Sequence, residues 1–177
     1  MKLSEEEKDL VLVNNAGFGF TKPVLEVTQE DFDLITSTHL RGTFFCCQKI
    51  GEIMLERGYG KIINLGSTWG YTTDAKKAPY CMVKAGIAHM SRAISTEWAP
   101  NGIRINTLAP TGTVTEFTQK TWESMPERAK GILSRIKLGR FAYPSDHLGA
   151  AIFLASNASD FITGQTIYVD GGFTAAG

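Results

Sequence analysis

The sequence predicts an α/β fold of three layers, a parallel sheet with helices on both faces. Four short runs rich in valine, isoleucine and leucine have the length and apolarity of buried strands: LVLVNN at 10–15, GKIINLGS at 60–67, IRINTLAP at 103–110 and TIYVDGG at 166–172. Stretches with helical spacing of apolar residues lie between them. Strand alternating with helix requires right-handed crossovers, and these make neighbouring strands parallel.

The helices follow in order. The stretch 28–58 opens with Thr28 and Asp31 at capping-box spacing and repeats its apolar residues at helical intervals. A second helix starts at Pro79 and stops at Pro100, and a third is expected from a cap at Ser145. All 177 residues are read as a single domain, since 19.4 kDa with 43% hydrophobic residues suffices for one core. One segment breaks the alternation. Residues 113–140 are polar and partly helical, and they follow the C-terminal end of a strand, where open parallel sheets bind ligands. They are a candidate substrate lid.

Composition narrows the function. Lysine plus arginine and aspartate plus glutamate number 18 each, so no global field draws the chain to nucleic acid or an anionic membrane. A span of about 18 apolar residues, as a bilayer requires, is missing. Cys46, Cys47 and Cys81 form neither a C-x-x-C nor an even set, which argues against zinc and disulfides and reads as core thiols. A cytoplasmic location and a small-molecule partner are expected. His89 and His147 stand at no metal-ligand spacing.

The chemistry concentrates in NLGSTWGYTTDAKKAPYCMVKAG. Ser67 sits at a strand tip, and Tyr80 and Lys84 are spaced i, i+4 on the following helix, so the two share a face. A phenol titrates near pH 10, and bringing it to neutrality takes about 4 kcal/mol; an ammonium about 4 Å away supplies that order of energy. The trio is a proton-transfer device. By itself Y-x-x-x-K is a weak signal. Here it is accompanied by Asn-Asn-Ala-Gly at 14–17 after an earlier strand, NTLAP ending at Pro110, and VDGG in the last strand.

Together these motifs resemble the short-chain dehydrogenase/reductase family over Lys8 to Gly172. The resemblance implies a Rossmann-like fold and NAD- or NADP-dependent interconversion of a secondary alcohol and a ketone. Tyr80 would be the general acid/base, Lys84 would lower its pKa and hold the nicotinamide ribose, and Ser67 would orient the substrate carbonyl. Asn14, Asn15, Ala16 and Gly17 would lie under the adenosine side of the cofactor. Pro110, Thr111, Gly112 and Thr115 would belong to the loop that holds the nicotinamide amide. A homo-oligomer, dimer or tetramer, is implied as well. STWGY and EWAPNGIR are similar to members acting on sugar acids and polyols.

Three features depart from the family pattern. His39 in THLRG occupies the place of an asparagine that anchors a proton relay; a histidine there would either serve the relay or disable it. Thr111 follows Pro110, with the expected glycine one residue later at Gly112. The third concerns the first strand, since the resemblance implies an earlier strand, a G-x-x-x-G-x-G turn and a helix, none of which these residues contain. The chain is therefore expected to be an N-terminally truncated form of the fold, with residues 1–9 ending a helix and Leu10 to Val13 uncovered, a loss of up to about 6 to 12 kcal/mol. The residue that separates NAD from NADP would lie in the part not present. The alternative to an enzyme is a non-catalytic member of an oligomer.

Overall fold

The structure, a computed structural model, describes residues 10–175 and, of Phe117, the backbone alone. The expected helix over residues 1–9 lies outside them. The four strand-like runs form one parallel sheet in chain order: β1 (Val11–Asn14), β2 (Gly60–Leu65), β3 (Ile103–Pro110) and β4 (Thr166–Val169). Asn14 stands beside Asn64, Asn64 beside Thr107, and Thr107 beside Thr166. The helices are α1 (Gln29–Thr36), α2 (Gly42–Arg57), α3 (Ala78–Trp98), α4 (Glu116–Ser124), α5 (Pro126–Arg135) and α6 (Leu148–Ala155).

Strand side chains alternate between faces, and this divides the core in two. Ile62, Ile103 and Ile105 pack on one face against Cys47 and Met54 of α2 and Ile94 and Trp98 of α3. Ile63 and Leu108 pack on the other against Leu154 of α6. The expected three layers are thus present.

Local details both match and correct the sequence reading. Thr28 Oγ1 accepts from the Asp31 N–H at 3.2 Å while the Asp31 carboxylate accepts from the Thr28 N–H at 3.0 Å, so the capping box forms. The helix it starts is not continuous. A π-helical turn over Ser37–Arg41 separates α1 from α2, and its extra residue turns His39 into the interior, where it is 1% exposed. Ser145 is not a cap. Pro144 begins a 3₁₀ turn ending at His147, and the Asp146 carboxylate, gripped by Arg140 at 2.7 and 2.9 Å, takes the Tyr143 N–H instead.

The thiol expectation holds for Cys47 alone. Cys46 is exposed and Cys81 half-buried, because adjacent residues on a helix cannot both face one core. Burial of β1 also differs from the expectation. Leu10 and Leu12 pack on the core, and only Val11 and Val13 lie open, at 36% and 55%. Two open side chains rather than four bring the apolar loss to about 3 to 6 kcal/mol. No helix among the described residues is long and apolar enough to cross a membrane.

The segment at 113–140 holds α4 and α5. Its ends are stitched together by the Val114 N–H to the Ala142 carbonyl at 2.7 Å and the Ala142 N–H to the Gly112 carbonyl at 3.0 Å. It therefore leaves and rejoins the sheet at one point, beyond the end of β3.

Candidate active site

All four strands end at the same edge of the sheet, where Asn15–Gly17, Ser67, Thr111–Thr113 and Asp170–Gly172 follow β1 to β4. Ser67 has extended backbone and caps the 3₁₀ turn Thr68–Gly70, its Oγ accepting from the Trp69 N–H at 3.2 Å. That turn lies directly on α3. A Cβ at Gly70 would come within 2.9 Å of the Lys84 carbonyl, so glycine permits a contact between backbones that fixes Ser67 relative to Tyr80 and Lys84. Gly70→Ala is expected to displace the turn and, on the catalytic reading proposed below, to lower kcat about 10²-fold, a loss typical of misplacing a reacting group by about 1 Å. Steady-state kinetics with a thermal melt as control checks this.

Tyr80 and Lys84 occupy successive turns of α3. The Lys84 ammonium is 4% exposed, donates to the Leu65 carbonyl at 2.7 Å and lies 5.7 Å from the centre of the Tyr80 ring. Burial lowers its pKa to about 8. The phenol moves in the opposite direction from the one expected, since burial raises the Tyr80 pKa and the nearby Ser67 hydroxyl only partly opposes this. Lys84 does not lower it here, because the ammonium is turned to the strand carbonyl.

His39 completes the cluster. Its ring stands edge-on to Tyr80 with centres 5.8 Å apart, and Nε2 lies 2.7 Å from the Phe18 carbonyl. The Phe18 N–H lies 3.3 Å from the same nitrogen, so Nε2 donates to the carbonyl in one tautomer and accepts from the N–H in the other. Burial lowers the His39 pKa and the Lys84 charge lowers it further, both favouring the neutral ring. The buried Nδ1 has no hydrogen-bond partner among the described residues. Gly17 covers the ring so closely that a Cβ there would fall 2.4 Å from His39 Cε1.

The family model described as Enoyl-(Acyl carrier protein) reductase matches residues 6–174. The chain belongs to the short-chain dehydrogenase/reductase family. It is 38% identical over 164 residues to D-threitol dehydrogenase of Mycolicibacterium smegmatis, covering 93% of this chain and 62% of that protein. To 2-dehydro-3-deoxy-D-gluconate 5-dehydrogenase of Escherichia coli it is 36% identical over 166 residues, 93% of this chain and 65% of the relative. The fold matches a crystal structure of gluconate 5-dehydrogenase from Burkholderia cenocepacia, in complex with NADP and tartrate, with TM-score 0.91 and 35% identity. That match covers 95% of this chain and 66% of the other. The chain thus spans less than two thirds of the length of these curated relatives.

Within this short-chain dehydrogenase/reductase, Ser67, Tyr80, Lys84, His39 and Gly17 converge, although they come from four separate segments. Asn15, Ala16 and Gly17 are exposed beyond β1. The Asn14 side chain points elsewhere. It donates to Asn64 Oδ1 at 2.8 Å and to Cys47 Sγ at 3.3 Å, and Asn64 donates to Ser91 at 2.9 Å, a polar ladder inside the sheet. Pro110 ends β3, with Thr111 and Gly112 following it at the sheet edge. Thr115 caps α4 in a reciprocal pair with Thr118. Thr113, unmarked by any sequence motif, donates to the Thr111 carbonyl and accepts from His147 Nε2, both at 2.9 Å, so the loop is tied to the turn before α6.

Side chains from 113–140 reach back over the site. Arg128 of α5 pairs with Asp74 in the loop before α3. Arg135 lies 4.1 Å from the centre of the Phe173 ring and 5.2 Å from that of Trp69, two residues beyond Ser67. Among the described residues no group of His, Cys, Asp and Glu could hold a metal ion. The residues do fit a nicotinamide nucleotide. Gly17 and Gly19 place no side chain between the β1 loop and Tyr80, and Lys84 retains two N–H donors beyond its bond to Leu65.

Proposed function

We propose that the protein is an NAD- or NADP-dependent oxidoreductase interconverting a secondary alcohol and a ketone, with Tyr80 as general acid/base. The observation that carries this reading is the convergence of Tyr80, Ser67, Lys84 and an unpartnered His39 Nδ1 at the C-terminal edge of a parallel sheet. In the oxidative direction the Tyr80 phenolate takes the alcohol proton, and in the reductive direction the phenol returns it to the ketone oxygen. Ser67 donates to the same oxygen and holds it at the phenol. When bound, NAD or NADP supplies the hydride acceptor or donor.

Lys84 and Tyr80 would hold the nicotinamide ribose, with Asn15, Ala16 and Gly17 under the adenosine side of the cofactor. Thr111, Gly112 and Thr115 after Pro110 would hold the nicotinamide end. The unpaired His39 Nδ1 would hydrogen-bond a water within reach of Lys84, which would give the proton a path between Tyr80 and solvent. Residues 113–140 act as the substrate lid, clamped by Arg128 to Asp74 and by Arg135 to Trp69 and Phe173. The relatives named for threitol and for sugar acids point to a polyhydroxy substrate. Phe44 and Phe45 are exposed on α2 and Met82 on α3, which suits a homo-oligomer joined through these helices. Three free thiols fit a cytoplasmic location.

The test is to incubate the protein with NAD or NADP and a panel of polyols and sugar acids, reading reduced nicotinamide by absorbance. At least one substrate should give steady accumulation. A soluble oligomer with neither turnover nor saturable cofactor binding would favour the non-catalytic alternative.

A further inference from the structure

Lys77 is a charge at the edge of the site with no hydrogen-bond or ion-pair partner for its ammonium among the described residues. Its side chain is half-buried, and its ammonium lies 5.4 Å from the centre of the Tyr80 ring. The carboxylate nearest to hand, Asp74, is already engaged by Arg128, which leaves two cations to one anion. Burial and the Arg128 charge both press on the Lys77 ammonium, lowering its pKa. A half-buried ammonium in such surroundings is stabilised by a second anion, and the described residues supply none.

Two further observations show that the ammonium is aimed. Lys76, immediately before it, has φ of 63°, the one positive φ outside glycine among the described residues, and its carbonyl accepts from the Lys22 N–H at 2.9 Å. Left-handed backbone at a lysine costs about 1 to 2 kcal/mol and persists where the surroundings hold it. Gly19 faces Lys77 and Tyr80 together. A Cβ there would lie 3.1 Å from the Tyr80 ring and 3.7 Å from Lys77 Nζ, so glycine lets the β1 loop come close to both the phenol ring and the ammonium. Beside it an open groove of about 350 Å³ runs between the β1 loop and the start of α5, lined by Thr21, Pro23, Lys76, Met125, Glu127 and Arg128, two cations to one carboxylate.

We propose that Lys77 is a specificity-determining residue, and that the substrate is a polyhydroxy acid whose carboxylate pairs with its ammonium while the reacting carbon lies at the Tyr80 hydroxyl. This rests on the dehydrogenase reading above and adds the charge of the substrate. The short distance from Lys77 to the Tyr80 ring places the carboxylate a few carbon atoms from the reacting alcohol. A neutral polyol would leave the ammonium unpaired, so the pocket discriminates acid from polyol by charge.

D-Gluconate and D-glucitol, which differ in a terminal carboxylate, are the probes. Reductive methylation with ¹³C-formaldehyde labels the lysines, and the Lys77 resonance is assigned by its loss in Lys77→Arg. Gluconate should move that resonance saturably, and glucitol at equal concentration should not. By calorimetry Lys77→Gln should reduce the ratio of gluconate to glucitol affinity about tenfold or more, and Lys77→Arg should restore most of it. A Lys77 resonance unmoved by gluconate, or a preference that survives in Lys77→Gln, overturns the proposal. Both readouts are taken without turnover. A gluconate-dependent Lys77 shift in a protein without dehydrogenase activity therefore upholds the anion subsite and counts against the catalytic reading alone.

Discussion

Tyr80→Phe is expected to lower kcat about 10³-fold, within the range by which general acid/base groups accelerate reactions, while the protein remains folded. The substitution removes one oxygen and keeps the ring, so the edge-on contact with His39, the approach of Gly19 and the position beneath Lys77 and Lys84 persist. KM should change far less than kcat, because the lost interaction strengthens as the proton moves. The pH dependence gives a second readout. Burial raises the phenol pKa, so the phenolate needed for alcohol oxidation grows with pH, and oxidation by the wild-type protein should rise toward alkaline pH. The residual activity of Tyr80→Phe should lack that rise. A loss below about tenfold, or an unchanged pH profile, would remove Tyr80 from the reaction.

The parts of this site that were legible in the sequence are those written in local pattern. Strands β2 and β3 announce themselves as apolar runs, and the capping box at Thr28 and Asp31 is a reciprocal contact three residues apart. Tyr80 and Lys84 share a helix face by spacing alone. Contacts between distant segments left no such trace. Arg128 finds Asp74 across 54 positions and His147 finds Thr113 across 34, and no periodicity connects either pair. The π turn at Ser37–Arg41 interrupts the helical period that the sequence shows, and the contact it makes possible between His39 and Gly17 joins segments 22 positions apart. The family resemblance of the Asn-Asn-Ala-Gly turn places Asn14 with its neighbours under the adenosine side of a cofactor. Its inward orientation follows from its register opposite Asn64, which emerges only when β1 and β2 pair. Lys77 had no motif to single it out, and its interest comes from what fails to surround it.

Lys84→Met should abolish activity and yet stabilise the protein at neutral pH by about 2 kcal/mol. A fall in pKa from 10.5 to about 8 on folding corresponds to about 3 kcal/mol, at roughly 1.4 kcal/mol per pH unit, against the charged form. Removal of the side chain also forfeits its bond to the Leu65 carbonyl, about 1 to 1.5 kcal/mol, and the difference leaves the variant ahead. The sign follows from proton counting. Below pH 8 folded and unfolded chains both hold the proton, and the folded wild type carries the whole desolvation penalty. Between 8 and 10.5 the unfolded chain keeps a proton that the folded one has released, so wild-type stability rises with pH relative to the variant. Denaturant unfolding should therefore show Lys84→Met more stable at pH 7 and no more stable at pH 10. Equal stabilities at pH 7 would mean that the ammonium is better solvated than its 4% exposure indicates. The fold alone has no use for a cation at this position, since methionine would fill the space at lower free energy. On the proposed reaction, what retains it is the need for positive charge beside a phenol, and the half-buried positive charge at Lys77 would be matched by an anion on the substrate.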